Sequence, residues 1–118
     1  MKTRYTGSCH CGAVTFQAEL DISQVIACNC SICSRTGWRL AFCSADDFEL
    51  IQGEAELRDY QFAKKHIHHT FCSRCGVRPF SYGANPDGSG TTYSINVRCL
   101  DGVDAESLST SHYDGASL

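Results

Sequence analysis

Apolar and polar residues alternate along GAVTFQAEL, with Val14, Phe16, Ala18 and Leu20 on one side and Thr15, Gln17 and Glu19 on the other. A period of two predicts a half-buried strand. WRLAFCSADDFELIQG predicts a strand through Leu40 and Phe42, a short turn at Ser44 to Asp46, and a second strand ending at Gly53. ELRDYQF predicts another extended segment, HIHHTF a further one, and TTYSINVRCL a late strand after the loop GANPDGSG. No window holds a helical period beyond about two turns. The fold class read from this pattern is mainly β. No repeat, low-complexity segment or linker divides the chain, so residues 1–118 are expected to form a single domain. No apolar run reaches the length of a membrane span. Lys2 is followed by no hydrophobic stretch of the secretory kind, so a cytoplasmic location is expected.

Composition changes the picture at one residue type. Apolar content of 42% with 19% charged residues is ordinary for a globular chain, but nine cysteines among 118 residues are not. An odd number cannot close completely into disulfides, and cytoplasmic thiols are kept reduced. Metal binding explains the count better. The formal charge is −3, and seven thiolates holding two divalent ions would carry it to about −6. Nucleic acid requires a basic footprint, so that class of partner is disfavoured. An anionic small molecule would need local arginines to offset the field.

The cysteines fall into three clusters: Cys9-His10-Cys11, Cys28-Asn29-Cys30-Ser31-Ile32-Cys33, and Cys72-Ser73-Arg74-Cys75-Gly76. On a strand, residues i and i+2 face the same way, so Cys9 and Cys11 can aim at one ion while His10 points away. The third cluster has the spacing of a zinc knuckle, and Gly76 suits a positive φ. These two pairs together supply four thiolates, and closed four-sulfur sites are structural. The middle cluster supplies three, which leaves a tetrahedral position open, as in catalytic sites. Spacing alone also allows the middle cluster to share an ion with either outer pair. Disulfides or an iron centre are the competing readings; rubredoxin-like iron needs two CxxC knuckles and leaves CxC unexplained. Cys43 and Cys99, beside Phe42 and Leu100, read as small core residues.

GSCHCGAVTF, CNCSICSRTG and FCSRCGVRPF resemble, in order and spacing, the three signatures of the glutathione-dependent formaldehyde-activating enzyme family, which includes the centromere protein V relatives. The resemblance runs from Gly7 to about Phe80 and includes all seven clustered cysteines. It implies a β-tent fold of small antiparallel sheets pinned by a four-cysteine zinc site, of the kind also found in methionine sulfoxide reductase B. It implies a structural zinc on Cys9, Cys11, Cys72 and Cys75 and a catalytic zinc on Cys28, Cys30 and Cys33. Two departures stand out: Asn29 occupies a position where the family usually has His, and Ser34 intervenes before Arg35.

The namesake reaction adds the thiol of glutathione to formaldehyde, giving S-(hydroxymethyl)glutathione. The resemblance therefore implies a zinc-dependent enzyme of the carbon–sulfur lyase type, acting on glutathione or a similar thiol and a small aldehyde. A carboxylate-bearing thiol needs cations, and Arg35 and Arg39 flank Trp38 just past the cluster, with Arg78 beyond the knuckle. His68 is a candidate for the second coordination sphere or for acid–base chemistry. His112 and Asp114 in SHYDG are candidates to cover the open position. The rival reading is a non-catalytic module with two structural zinc sites, the middle one completed by a histidine or by Cys43.

Overall fold

The computed structural model describes residues 2–62 and 66–117. Within these residues ten strands form two sheets. The smaller has the order β1-β2-β5, with β1 Thr3–Ser8, β2 Thr15–Leu20 and β5 Phe48–Gln52, all antiparallel. The larger has the order β10-β3-β4-β9-β8-β7-β6. Its strands are β3 Val25–Cys28, β4 Leu40–Ser44, β6 Leu57–Tyr60, β7 Ile67–Cys72, β8 Phe80–Ala84, β9 Thr91–Asn96 and β10 Thr110–Tyr113. Only the pairing of β10 with β3 is parallel. One α-turn, α1 Cys33–Thr36, follows the middle cysteine cluster and ends on Gly37 in the left-handed region. The chain is thus mainly β, and among the described residues no helix is long and apolar enough to cross a membrane.

The alternation in β2 determines how the sheets meet. Phe16, Ala18 and Leu20 are buried, and Phe16 lies 5.9 Å from both Phe48 of β5 and Phe80 of β8. Phe48 in turn stacks on Tyr93 of β9 at 4.1 Å. Aromatic pairs at these separations add to the area they bury, so this cluster joins the two sheets. Across the larger sheet, Ala41, Ile95 and Phe80 stand directly opposite one another and face this core. Cys43 belongs to the same core and Cys99 packs against it; burial pushes both thiols up to about 11. Both fit the role of small core residues.

The opposite face of the larger sheet behaves differently. Leu40 and Phe42 alternate with Ala41 and Cys43 as the sequence predicts, but they turn away from the main core. Leu40 joins a small second cluster with Cys33 and Trp38, against which Cys28, Cys30 and Ile32 pack. Phe42 is 50% exposed. The sheet therefore carries the structural core on one face and the middle cysteine cluster over the other.

Four strands carry no signal in the alternation. β1 and β10 are short and mostly solvent-facing, so their polar side chains show no amphipathic period. Both are held by backbone pairing at a sheet edge, and β3 and β8 owe their positions to neighbours on both sides.

Candidate functional site

The first and third cysteine clusters meet. Cys9 and Cys11 follow β1, Cys72 ends β7 and Cys75 follows it; their four sulfurs all lie within 4.8 Å of one another. Cys9 Sγ to Cys11 Sγ is 3.7 Å, and Cys11 Sγ to Cys72 Sγ is 3.7 Å. A tetrahedron of thiolates around zinc has an edge of ~3.8 Å, whereas a disulfide brings sulfurs to ~2.05 Å. All nine cysteines are free. The donor set and its spacing fit a metal ion of the zinc type.

The two halves of this centre are built alike. The Cys9 amide donates to the Val14 carbonyl at 3.0 Å, and the Cys72 amide to the Val77 carbonyl at 2.9 Å. Gly12 and Gly76 hold φ of +81° and +78°, and their amides donate back to the Cys9 and Cys72 carbonyls. The positive φ expected at Gly76 is present. The strand geometry expected for Cys9 and Cys11 is not: β1 ends at Ser8, and a turn aims the two sulfurs together. A tight turn achieves what alternation would have, and His10 remains exposed and outside the cluster. Burial opposes ionisation of Cys75, but amide donors at Val77 and Cys11 and the neighbouring thiols bring it down to about 6. Such donors stabilise the thiolate, which is the ligand form.

The middle cluster also comes together. The sulfurs of Cys28, Cys30 and Cys33 lie within 4.8 Å of one another, and among the described residues no fourth His, Cys, Asp or Glu completes the group. Cys43 lies in the main core instead. Burial raises Cys30, yet the Cys33 amide, the Cys33 and Cys28 thiols and the Ile32 amide together leave it below the ordinary thiol value. Cys33 is pushed up to about 12 by burial. The Trp38 indole Nε1 is buried without a hydrogen-bond partner of full geometry, and its influence on Cys33 is that of a weak donor to sulfur.

Three cavities surround this segment, two lined by its cysteines and one by Ser31 and Ile32 between Cys30 and Cys33. One of about 360 Å³ is lined by Cys28, Cys33, Trp38, Arg39, His112 and Asp114, among others. A second, of about 420 Å³, has Arg35 and Arg78 with Ile32, Tyr60 and Phe62 in its lining. The third, of about 300 Å³, is lined by all three cysteines, Trp38 and largely apolar side chains. Arg35, on α1, and Arg39, just beyond it, therefore stand at different cavities. The Arg39 guanidinium makes no hydrogen bond or ion pair among the described residues. Arg35 donates to the Ser31 carbonyl at 2.7 Å, and Arg78 lies 5.0 Å over the Phe71 ring. Trp38, only 3% exposed, is a wall shared by the first and third cavities.

The histidine reading needs a correction. Ile67, His69 and Phe71 do share one face of β7, as alternation requires, but that is the face turned towards the middle cluster. His68 points the other way, where its Nδ1 meets Asp59 Oδ2 at 2.6 Å and its ring stacks on Tyr82 at 4.7 Å. His69 is the buried one, stacked between Phe62 at 5.1 Å and Trp38 at 6.5 Å. Its Nδ1 has no hydrogen-bond partner. Burial and the nearby Arg78 hold its pKa below the usual imidazole value, so it is neutral near pH 7. The signal for it in the sequence was its place in phase with Ile67; only the sheet order and register, and the packing of the cluster on that face, decide which phase matters.

The tail is placed by β10, whose His112 and Tyr113 pair with Ala27 and Cys28. Asn29 donates from Nδ2 to Asp114 at 3.0 Å and accepts the Ala116 amide at 2.9 Å. The Asp114 carboxylate is held by Asn29 and Ser117 and makes no pair with His112. Asn29, at the position that departs from the family pattern, thus clamps the tail beside the cysteines. A Cβ on Gly115 would stand 2.7 Å from Cys28 Sγ and 3.2 Å from Cys30 Cβ. Gly115→Val is therefore expected to lower metal affinity at the middle cluster by at least tenfold while sparing the four-sulfur centre. Chelator competition with metal counting would read this, and two ions released as in the parent chain would refute it.

The family model of the glutathione-dependent formaldehyde-activating enzyme matches residues 4–113. Among solved structures, the chain resembles the crystal structure of a Rhodobacter sphaeroides protein from structural genomics. The two are 30% identical with a TM-score of 0.78, covering 90% of this chain and 99% of the other.

Proposed function

The chain belongs to the glutathione-dependent formaldehyde-activating enzyme family, and on that premise we propose that the middle cluster joins a small thiol, glutathione or a close relative, to formaldehyde or another small aldehyde. The observation that carries this reading is the meeting of three cysteine sulfurs, without a fourth ligand among the described residues, between two cavities that the cysteines themselves line. Zinc on Cys28, Cys30 and Cys33 would keep a substrate thiol deprotonated at neutral pH. The four-sulfur centre of Cys9, Cys11, Cys72 and Cys75 has a structural role, since it ties the turn after β1 to the turn after β7.

The chain's own residues then bind and orient. Arg39 offers a carboxylate in the first cavity a guanidinium without a hydrogen bond among the described residues, and Arg35 and Arg78, each with one donor on a backbone carbonyl, bring their remaining donors and charge to the second. Trp38 stands between the first and third cavities and covers the cluster's inner side. In the reaction the thiolate sulfur bonds to the carbonyl carbon, and the C=O π pair moves onto oxygen, which takes up a proton. The product is a hemithioacetal, and the reverse step is the carbon–sulfur cleavage of a lyase. Charges balance without an oxidant or reductant.

The test is to load the full chain with zinc and follow adduct formation from glutathione and ¹³C-formaldehyde by NMR exchange. Exchange well above that in buffer is expected, and exchange equal to buffer would overturn the reading. Arg39→Ala is expected to weaken glutathione by roughly tenfold, as befits the loss of one charge-assisted hydrogen bond, with metal content unchanged. Equal affinity would remove Arg39 from the site.

A further inference from the structure

We propose that the middle cluster serves an aldehyde bearing a bulky apolar group, aromatic or branched aliphatic, with the third cavity holding that group. The inference rests on the thiol–aldehyde reading above and names its substrate class.

The cavity is built by a row of directly paired residues across five strands. Tyr60 stands opposite His69, His69 opposite Ser81, Ser81 opposite Ser94, and Ser94 opposite Phe42. Directly opposed residues share a face and crowd one another. Two serines in the middle of a row of rings leave a trough, with Phe42 and His69 as its sides. The three cysteines and Trp38 close it from above, giving about 300 Å³. Ligand cavities begin at roughly that size.

Its mouth carries large apolar side chains that folding leaves in water: Phe42 is 50% exposed, Ile67 38% and Tyr113 51%. Single exposed hydrophobics are ordinary, but three converging on one cavity beside a metal-type centre mark a binding surface. A one-carbon aldehyde has two heavy atoms and would leave nearly all of this surface wet. A phenyl or isobutyl group would cover it. Two residues of the lining carry a buried side-chain nitrogen without a hydrogen-bond partner, Trp38 and His69. Trp38 Nε1 leans on the Cys33 sulfur as a weak donor, whereas His69 Nδ1 has no such neighbour, and such groups call for an explanation. The oxygen of the aldehyde or its hemithioacetal provides a partner for it. Ile32 and Phe62 line both this trough and the Arg35–Arg78 cavity, so a charged thiol and an apolar aldehyde could approach the cluster from adjoining sides.

Binding can be read apart from turnover because Trp38, the sole tryptophan, forms part of the wall. The zinc-loaded chain is titrated with benzyl alcohol, an unreactive mimic, by Trp38 fluorescence and calorimetry, and adduct formation with glutathione is compared for benzaldehyde, isovaleraldehyde and formaldehyde. Saturable binding is expected, weakened at least tenfold in Ser94→Leu, which fills the trough, and severalfold in Phe42→Ala, a half-exposed position that folding tolerates. The preference for benzaldehyde over formaldehyde is expected to fall in both variants. Adduct formation with formaldehyde but no benzyl alcohol binding would overturn this inference and leave the proposed function standing. No adduct with any of the three aldehydes would overturn both. Self-association that buries Phe42 and excludes benzyl alcohol would assign the patch to a second copy of the chain and overturn it as well.

Discussion

Cys72→Ser protein is expected to lose its fold, not merely one ion. Cys72 is fully buried and its sulfur stands 3.7 Å from Cys11 Sγ. An ion on Cys9, Cys11, Cys72 and Cys75 would clip together two turns that are 61 residues apart in the chain, counted from Cys11 to Cys72. One of these turns joins β1 to β2 in the smaller sheet and the other joins β7 to β8 in the larger. Structural zinc contributes on the order of 10 kcal/mol in small domains, which rivals the entire stability of a typical domain, ~5–15 kcal/mol. A serine hydroxyl is a poor replacement ligand and would be buried without a partner. Circular dichroism, thermal melting and metal content should all show the loss, and exhaustive chelation of the parent chain should reproduce it. A soluble Cys72→Ser chain melting cooperatively at the parent temperature would refute the closed structural centre.

Cys30→Ser is expected to do the opposite. Cys30 is partly exposed and lies in the small cluster with Trp38 and Leu40, outside the main core that joins the sheets. Losing one of three sulfurs should empty the middle site while the strands and the four-sulfur centre remain. The expected result is a folded chain with metal content falling from two ions to one, no saturable glutathione binding, and adduct formation at the buffer rate. Mass-spectrometric metal counting on folded protein decides it. Two ions retained, or glutathione bound as before, would remove the middle cluster from the chemistry. Together the two variants separate a centre that holds the molecule together from one that the molecule holds out to a substrate.

Much of this was legible in residue order. The alternation of Val14, Phe16, Ala18 and Leu20 identifies β2 because one face of that strand is buried and the other is not. Leu40 and Phe42 were legible as one face of β4, but not as the face that meets the cysteines, because β4 is covered on both sides. β7 shows the same limit: alternation separates His68 from His69 without saying which of them faces the cluster. β1 and β10 were silent, since strands secured by backbone bonds at an edge need no apolar face.

The sequence by itself determined that this is a mainly β chain with clustered cysteines suited to metal, because strand periodicity and thiolate spacing are local properties of neighbouring residues. Only the tertiary structure decided that the middle sulfurs sit over the outer face of the larger sheet, beside His69, an unengaged Arg39 and a serine-floored trough. Those neighbours come from strands far apart in the chain, and their meeting depends on sheet order and register, which no local pattern encodes.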